Sequence, residues 1–230
     1  KIFNINPYSL RGENFFKTIF EYRKKIFSRE KKRIKKKKEF FCNLCKSKKG
    51  NIFLTWKKNY QLILCQRCEA VSPNISFQDE KKFIKSVYDD KDYLKKTFRY
   101  IFKNYNYRKK MFGSERYEYC VKRLKLKKNS RVLDVGCGMA YFVNYLKSKK
   151  VYCKGLEPTK AIAEFCKSKL KLNVSSNSID EEKNNSYDLI TMFDVVEHLK
   201  DPVKYLKVIN KKLKKNSYCV MYTPNIHSFA

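Results

Sequence analysis

Two acidic residues flank a glycine turn in the second half of the chain. An apolar run, Val132–Val135, contains Asp134 and leads directly into a short turn, Gly136–Gly138. A second apolar run, Val151–Leu156, ends just before Glu157. Glycine lets a ligand approach the backbone closely, and a helix that follows such a turn offers unpaired N–H groups. A strand, a glycine turn and a helix are the elements that build a nucleotide-type site in an α/β sheet.

These residues favour S-adenosylmethionine (SAM) over a dinucleotide. The dinucleotide fingerprint is G-x-G-x-x-G, whereas the small residues here are Gly136, Gly138 and Ala140. A carboxylate beside the turn, such as Asp134, suits an ammonium group better than a pyrophosphate. Glu157 lies about 20 residues further on, where such folds place the acid that binds ribose hydroxyls.

Nine cysteines occur in the chain, and four of them form two C-x-x-C pairs. The four are Cys42, Cys45, Cys65 and Cys68. Their spacing is typical of a zinc ribbon, in which four thiolates fill the coordination sphere and the metal is structural. Residues 52–56 and 60–64 are largely apolar and predict a hairpin between the two pairs. A redox dithiol or two disulfides are the alternatives for the same spacing.

A formal net charge of +32 predicts salt-sensitive, nonspecific binding to polyanions. Only ten of the 54 basic residues are arginine, so much of this charge is expected to be a solvated lysine surface. The lysines are densest over 31–38, near the end of a helix predicted for Glu13–Phe40. Contact with a membrane surface, contact with RNA and simple solvation are the three interpretations of this basic helix. No run of roughly 20 apolar residues and no signal-peptide pattern occurs, which predicts a cytoplasmic protein.

Apolar runs and helical patterns alternate from residue 131 onward, as a parallel sheet requires. Strands are predicted near 131–135, 151–156, 172–176, 187–193 and 217–223, and helices near 140–149, 159–169 and 201–214. The predicted fold class is α/β, with a Rossmann-like doubly wound parallel sheet. Four regions follow: a basic, helical extension over 1–41, the zinc ribbon over 42–78, a helical cap or linker over 79–130 and a SAM-binding core over 131–230.

Three segments of this core resemble the class I SAM-dependent methyltransferases. They are Val132–Gly138, Gly155–Pro158 and Tyr187–Pro202, and they occur in the order and spacing of that family. The last segment ends in Glu-His-Leu-Lys-Asp-Pro, which is similar to the methyltransferases that carry an "EHl-dP" sequence after the fourth strand. A zinc ribbon before such a core resembles methyltransferases of bacterial polysaccharide, sugar-nucleotide and secondary-metabolite pathways.

The resemblance implies a set of SAM-binding residues. The glycine turn would line the methionine moiety, the second acid would bind the ribose, and the segment after the third strand would lie along the adenine. The residues so assigned are Asp134, Gly136, Cys137, Gly138, Glu157, Pro158, Asn177, Ser178, Ile179, Phe193 and Asp194. Members of the family add a sixth and a seventh strand, so the core ending at Ala230 is expected to be incomplete at its C-terminus.

Glu197 and His198, just past the predicted fourth strand, are the candidate catalytic pair. A histidine there can accept the proton of a methyl acceptor, and bracing of the following helix is the alternative role. The resemblance implies O- or C-methylation of a small molecule or of a glycan or sugar-nucleotide precursor. An RNA methyltransferase that holds nucleic acid through its basic N-terminus and ribbon is the less favoured alternative. A non-catalytic scaffold with the same fold is the third.

Overall fold

The computed structural model describes residues 14–56, 60–79, 82–83, 86, 95, 98, 102–127 and 129–225. The chain divides into two compact units. The N-terminal unit comprises most of residues 13–100, and the C-terminal unit comprises most of residues 101–230. No helix formed by the described residues is long and apolar enough to cross a membrane.

The N-terminal unit begins with a helix and continues with five short strands. Helix α1 is Phe15–Glu30, and the strands are β1 (Ile34–Lys36), β2 (Gly50–Trp56), β3 (Tyr60–Cys65), β4 (Val71–Pro73) and β5 (Ile75–Phe77). Strands β2, β3 and β4 form an antiparallel sheet in that order, and β1 pairs with β5. The predicted hairpin between the two cysteine pairs is therefore confirmed as β2 and β3.

The helix predicted over Glu13–Phe40 is too long. Helix α1 ends at Glu30, a turn of 3-10 helix follows, and the chain then becomes strand β1. The carboxylate of Glu30 accepts hydrogen bonds from Arg29 and from Arg33 at the end of the helix. Seven of the eight residues over 31–38 are cationic, and a helix would place these like charges one turn apart, which is unfavourable. The extended strand separates them and pairs its backbone with β5.

The C-terminal unit is built on a five-stranded parallel sheet with the strand order β10-β9-β6-β7-β8. Its helices are α2 (Tyr105–Tyr117), α3 (Tyr141–Ser148), α4 (Lys160–Ser168) and α5 (Pro202–Lys212), and its strands are β6 (Arg131–Val135), β7 (Tyr152–Leu156), β8 (Val174–Ser175), β9 (Tyr187–Phe193) and β10 (Leu213–Tyr222). The strand order reverses beside β6, as in a doubly wound sheet. The predicted Rossmann-like architecture is confirmed.

The five strands and three helices predicted from residue 131 onward are all present. The first and fourth strands have the predicted bounds, whereas β8 is only two residues long and β10 begins earlier, at Leu213. Helix α5 ends at Lys212, so no loop separates it from β10. Lys212 is buried, and its Nζ donates to the backbone carbonyls of Asp180 and Glu182, which holds the end of the helix in place.

Alternate residues of the sheet contribute to two separate apolar clusters. Val132 and Leu189 pack on one face of the sheet against helices α3 and α4. Leu133 and Ile190 pack on the other face against α5. Burial on both faces explains the nearly continuous apolar sequences of β6 and β9. With both faces covered by helices, the carboxyl edge of the sheet is the place where this type of fold binds its ligand.

Helix α2 packs closely on α3. Gly113 is buried in this contact, and a Cβ atom added to it would lie 2.4 Å from the Cβ of Tyr145. At the start of α2, the hydroxyl of Tyr105 accepts a hydrogen bond from Asn144 (2.9 Å), and its ring lies 5.1 Å from that of Tyr141. Helix α2 therefore belongs with the sheet of the C-terminal unit.

Candidate cofactor and metal sites

The glycine turn lies between the end of β6 and the start of α3, at the carboxyl edge of the sheet. Gly136, Gly138 and Ala140 all have left-handed backbone conformations, with φ values of 68°, 52° and 55°. A Cβ atom on Gly136 would lie 2.5 Å from Val195, whereas one on Gly138 would meet nothing within 4 Å. The space beside Gly138 is therefore open to a ligand. Ala140 adopts the same conformation with a methyl group, which costs roughly 1–2 kcal/mol.

Asp134 is buried at the carboxyl end of β6 with one of its two oxygens unpaired. Its Oδ1 accepts a hydrogen bond from the hydroxyl of Thr191 on β9 (2.7 Å). Its Oδ2 is buried and has no hydrogen-bond partner among the described residues. Burial raises the pKa of Asp134 to about 6, although the charge of Arg116 and the Thr191 hydroxyl act to lower it. A buried carboxylate with a free oxygen is an acceptor for a cationic group such as an ammonium.

Glu157 joins the glycine turn to the end of β7. Its Oε2 accepts a hydrogen bond from the N–H of Gly138 (3.0 Å), and its Oε1 accepts one from the N–H of Thr159 (2.8 Å). The residue is buried, whereas the neighbouring Pro158 is exposed. Each carboxylate oxygen keeps further acceptor capacity, so Glu157 can hold the turn and still accept hydrogen bonds from ribose hydroxyls.

The end of β9 contributes Phe193 and Asp194 to the same edge. The ring of Phe193 packs edge-on against Phe142, with a centroid distance of 5.8 Å. The guanidinium carbon of Arg116, near the end of α2, lies 3.9 Å from the centre of the Phe193 ring. Asp194 has a left-handed backbone conformation, and its N–H donates to the carbonyl of Tyr222 (2.9 Å).

The segment predicted to lie along the adenine is held by local hydrogen bonds. Ser178 caps a short 3-10 turn: its Oγ accepts from the N–H of Asp180 (3.3 Å), and its own N–H donates to Glu181 (2.8 Å). Asn177 donates to the other oxygen of Glu181 (2.8 Å). Ile179 is buried in the apolar cluster that contains helix α5. These bonds give the segment a defined shape without any ligand.

Two residues at the carboxyl edge have no signal in the sequence. Arg116 lies outside the three motifs, and Ser175 ends β8 with its Oγ buried and without a partner among the described residues. Among the predicted site residues, Cys137 has a packing role, because its N–H donates to Leu156 (3.0 Å) and its Sγ fills the space where a Cβ on Gly155 would stand. The burial of a hydroxyl or the stacking of a guanidinium depends on tertiary contacts, which sequence patterns do not report.

Glu197 and His198 lie on a 3-10 turn that follows β9. The Oε2 atom of Glu197 accepts a hydrogen bond from the hydroxyl of Thr223, just after β10 (3.1 Å). The His198 side chain is 63% exposed, and its Nε2 lies 3.9 Å from Oε1 of Glu197. Glu197 thus braces the end of the sheet, and His198 is accessible from solvent. Helix α5 begins soon afterwards at Pro202, in agreement with the predicted helix start.

The four cysteines of the two C-x-x-C pairs converge in the N-terminal unit. The Sγ atoms of Cys42, Cys45, Cys65 and Cys68 all lie within 4.8 Å of one another, and none forms a disulfide. Two of the Sγ–Sγ distances, Cys42–Cys68 and Cys45–Cys65, are 3.5 Å. A tetrahedral zinc ion with Zn–S bonds of about 2.3 Å would set its sulfurs about 3.8 Å apart. The donor set and its spacing therefore fit zinc and do not fit bonded sulfurs, which lie about 2.05 Å apart.

The two C-x-x-C turns have the same backbone geometry. The N–H of Lys46 donates to the carbonyl of Cys42 (3.1 Å), and the N–H of Glu69 donates to the carbonyl of Cys65 (2.9 Å). Lys46 and Glu69 each follow the second cysteine of their pair, and both have left-handed conformations, with φ of 61° and 58°. The N–H of Arg67 also donates to Sγ of Cys65 (3.4 Å). Each turn thus points two thiol groups at a common centre.

A parallel sheet of this order, with an acid, a glycine turn and a second acid at its carboxyl edge, defines a Rossmann-like cofactor-binding domain. The family model described as "Methyltransferase domain" matches residues 107–229, which is more than half of the chain. The chain belongs to this family of SAM-dependent methyltransferase domains, and the class predicted from its motifs is confirmed.

Curated relatives are similar over the same part of the chain. The chain is 27% identical over 120 residues to a ubiquinone biosynthesis O-methyltransferase of Rickettsia typhi, a match that covers 48% of this chain and 49% of that enzyme. It is 32% identical over 108 residues to the (S)-tetrahydroprotoberberine N-methyltransferase of Eschscholzia californica, which covers 43% of this chain and 31% of that enzyme. The chain thus spans about half of the first relative's length and about a third of the second's.

Solved structures of methyltransferases are also similar to the chain. A SAM-dependent methyltransferase from Archaeoglobus fulgidus matches with a TM-score of 0.44 and 22% identity, over 65% of this chain and 61% of that one. A coclaurine N-methyltransferase bound to N-methylheliamine and SAH matches with a TM-score of 0.41 and 20% identity, over 49% of this chain and 35% of that one.

Proposed function

We propose that this chain is a methyltransferase that binds SAM at the carboxyl edge of the five-stranded sheet. The observation that carries the proposal is the unpaired, buried Oδ2 of Asp134, beside the open face of Gly138. SAM has an ammonium group at one end and ribose hydroxyls further along. Asp134 would bind the ammonium, and Glu157 would accept hydrogen bonds from the ribose while it holds the turn.

Bound SAM would supply an electrophilic methyl group on a sulfonium. The residues of this chain act on that chemistry mainly by positioning, because an in-line displacement requires donor and acceptor to be aligned. Phe193 would border the methyl-bearing sulfur at the end of β9, where its ring is fixed between Phe142 and Arg116. Asn177, Ser178 and Ile179 would lie along the adenine, and their short turn is already formed.

His198 is the proposed base that accepts the proton of the methyl acceptor. Its side chain is accessible and follows the end of β9, where an acceptor would approach. The hydrogen bond between Glu197 and Thr223 supports a bracing role for Glu197.

The proposed acceptor is a small molecule or a glycan or sugar-nucleotide precursor, methylated at oxygen or carbon. The two relatives described above are named for small-molecule chemistry, one as an O-methyltransferase of ubiquinone biosynthesis and the other as an N-methyltransferase of (S)-tetrahydroprotoberberine. Asp194 and the residues after it do not form the Asn-Pro-Pro-Tyr or Asp-Pro-Pro-Tyr motif of many enzymes that methylate amino groups of DNA and protein, which favours oxygen or carbon acceptors on small molecules. RNA is the second candidate, and the six lysines within 31–38 are the feature that favours it.

Zinc is the proposed structural metal of the N-terminal unit. Its ligands would be Cys42, Cys45, Cys65 and Cys68, whose thiol sulfurs already lie close to tetrahedral spacing. With all four positions taken by protein, no open position remains for catalysis.

Calorimetric titration with SAM, combined with a zinc assay on the same sample, tests both proposals. We expect SAM to bind and each chain to hold one zinc ion. Asp134→Asn should lose SAM binding, whereas the control Asp188→Asn should keep it, because Asp188 lies at the opposite edge of the sheet and pairs with Lys214. Transfer of radiolabelled methyl groups to an RNA fraction and not to small molecules would overturn the proposed acceptor class.

A further inference from the structure

The edge of the sheet opposite the glycine turn carries a dense set of cations. Three segments lead into β6, β7 and β8 there: residues 119–130, 145–151 and 165–173. Together they contain eleven lysines and arginines and no aspartate or glutamate. Because β6, β7 and β8 are neighbouring parallel strands, they begin at the same edge of the sheet. The three segments therefore lie side by side, and we call them the lysine edge.

The three segments end in the same way. Each contains a lysine with a left-handed backbone just beyond a helix or helical turn: Lys125, Lys150 and Lys171, with φ values of 51°, 57° and 53°. The residue after each lysine is apolar and packs in the cluster that lies between the sheet and helices α3 and α4. These apolar residues are Leu126, Val151 and Leu172. Since all three enter one cluster, the lysines before them are held on one side of the unit.

Backbone hydrogen bonds fix these lysines in place. After α3, the N–H of Lys150 donates to the carbonyl of Lys147 (3.1 Å). The N–H of Val151 donates to the carbonyl of Leu146 (3.0 Å), which completes a Schellman motif. The turn before β6 has the same two bonds around Lys125, each 3.0 Å long. Glycine is the usual residue at this position of the motif, because a side chain makes the left-handed conformation less favourable.

The side chains of the lysine edge are exposed and mostly lack ion-pair partners. Among the described residues of the three segments, Lys122 is the one cation that forms an ion pair, with Glu118 at 2.8 Å. Attraction to the helix dipole favours cations within the last turn of a helix, whereas the left-handed lysines lie beyond that turn. Like charges at this density repel one another. Strain and repulsion together indicate that this edge has a polyanionic partner.

The exposed apolar side chains distinguish a nucleic acid from a lipid surface. Tyr119 is the one large apolar side chain that is exposed among the described residues of the three segments. The guanidinium carbon of Arg123 lies 5.9 Å from the centre of its ring. A membrane-surface segment needs several apolar side chains that enter the bilayer. A nucleic acid needs a row of cations for its phosphates and an aromatic ring on which a base can stack.

We infer that the lysine edge binds the phosphate backbone of a nucleic acid. Strand β6 separates this edge from Asp134 and Gly138, and its five residues span about 15 Å. Nucleic acid bound there would not occupy the proposed SAM site, so the two ligands should bind independently. This binding goes beyond the proposed function, because it holds the chain on a nucleic acid without making that nucleic acid the methyl acceptor.

The test compares two triple variants that lose the same charge from different places. Lys125→Gln, Lys150→Gln and Lys171→Gln together remove one cation from each segment of the lysine edge. The matched control combines Lys183→Gln, Lys207→Gln and Lys211→Gln, which are exposed lysines in and beside α5, on the other face of the sheet. Thermal unfolding of both variants identifies any loss of fold.

The probes are a labelled single-stranded RNA of about 20 nucleotides, a DNA of the same sequence and vesicles that contain phosphatidylserine. Fluorescence anisotropy at several salt concentrations measures binding of the two oligonucleotides, and vesicle sedimentation measures binding to lipid. Weaker binding of both oligonucleotides by the lysine-edge variant would identify a backbone contact common to RNA and DNA. Weaker binding of RNA alone would identify RNA as the source of the phosphates.

We expect the lysine-edge variant to bind RNA roughly tenfold to a hundredfold more weakly at about 0.1 M salt, because three phosphate contacts are lost. The slope of log affinity against log salt concentration should become shallower by about 2. The control variant should lose less than about threefold. Equal losses in both variants would overturn the assignment, since net charge alone would then explain binding. A loss confined to vesicles would overturn it in favour of a lipid surface.

A saturating concentration of SAM should leave the parent's RNA affinity within about twofold. Competition by SAM would overturn the assignment, because it would place the nucleic acid at the carboxyl edge. The comparison of the two triple variants does not require SAM. A chain that fails to bind SAM but shows the expected difference between the variants would refute the proposed function alone.

Discussion

The N-terminal and C-terminal units bury very different kinds of side chain. Among the described residues, the buried apolar side chains of the N-terminal unit are Ile19, Tyr22, Cys42, Ile63 and Cys65. Two of these are candidate metal ligands. Several large apolar residues of β2 are exposed in the same unit, including Ile52 at 60%. The proposed zinc ion would add the stability that the small apolar core formed by these described residues lacks.

The C-terminal unit has the opposite arrangement. Two apolar clusters cover both faces of its sheet, and no metal ligand is needed to complete them. Asp134 lies at the carboxyl edge, and its Oδ2 has no hydrogen-bond partner among the described residues, whereas Asp188 at the other edge accepts hydrogen bonds from the N–H of Arg131 and from Lys214. A bound group would thus have a different role in each unit. In the N-terminal unit the proposed zinc ion would complete the fold. In the C-terminal unit the fold is complete without a ligand, and the unpaired carboxylate of the cofactor site lowers its stability.

Removal of one cysteine ligand should have the largest effect. Cys42→Ser should abolish zinc binding and unfold the N-terminal unit, because metal affinity and folding of such a site are one equilibrium. The C-terminal unit should still unfold at its original temperature. The measurements are zinc content and limited proteolysis with thermal scanning, and Cys219→Ser, outside the cluster, is the control. Full zinc retention by the Cys42 variant would refute the proposed ligand set.

Asp134→Asn should produce opposite changes in binding and stability. Burial holds the pKa of Asp134 at about 6 in the folded chain, above about 3.9 in an unfolded one. The folded state therefore binds this proton more tightly, so the carboxylate opposes folding above pH 6, and the opposition disappears as the pH falls toward 4. At pH 7 the variant should gain up to about 3 kcal/mol in free energy of unfolding, while its SAM affinity drops at least about tenfold.

Urea unfolding at several pH values, together with calorimetric titration, measures both parts of this prediction. The stability gain of Asp134→Asn over the parent should be nearly constant above about pH 6 and shrink between about pH 6 and pH 4. The parent's own SAM affinity should weaken below about pH 6, since a protonated Asp134 cannot pair with an ammonium. A variant that is less stable than the parent at pH 7 would show that Oδ2 of Asp134 is satisfied in solution.

Glu157→Gln should have an intermediate effect. The carboxylate holds the N–H groups of Gly138 and Thr159 and is the proposed acceptor for ribose. An amide offers one uncharged acceptor oxygen, so SAM affinity should fall roughly tenfold and stability by about 1 kcal/mol. Calorimetric titration and thermal unfolding measure these changes. Glu118→Gln, which removes a surface ion pair with Lys122, should keep SAM affinity near that of the parent.

The smallest effects should come from glycine at two strained positions, one in each unit. Ala140 and Glu69 have φ values of 55° and 58°, a conformation that a side chain makes less favourable. Ala140→Gly should raise the free energy of unfolding of the C-terminal unit by about 1 kcal/mol, and with it the unfolding temperature. Glu69→Gly should have the same effect on the zinc-loaded N-terminal unit. Thermal scanning with and without a chelator separates the two, because only the Glu69 gain should vanish when metal is removed.

The C-terminal sheet was predictable because its strands are buried on both faces. Runs such as Val132–Val135 and Leu189–Met192 are apolar except for Asp134 and Thr191, and the acids and glycines near their ends are local in sequence. The cysteine pairs were predictable for the same reason, since each turn is a four-residue feature. In both cases a short, continuous stretch of sequence corresponds to one strand or one turn of the structure.

The rest depends on contacts between distant segments. Ile34 continues the helical spacing of the apolar residues before it, but pairing with β5 and charge repulsion make Ile34–Lys36 a strand. The left-handed conformation of Ala140 follows from the path of the turn. Alanine rarely adopts this conformation, so the residue type does not predict it. Arg116 reaches the ring of Phe193 from helix α2, which Gly113 lets approach α3 closely, so neither residue is informative alone.

The buried, half-satisfied Asp134 has a further consequence for the protein's lifetime. A ligand that pairs with this carboxylate binds only the folded state. Its binding raises the free energy of unfolding by an amount that grows with the logarithm of ligand concentration. Proteases digest opened molecules, and the opened fraction falls as that free energy rises. We expect the amount of this protein in a cell to follow the supply of its methyl donor.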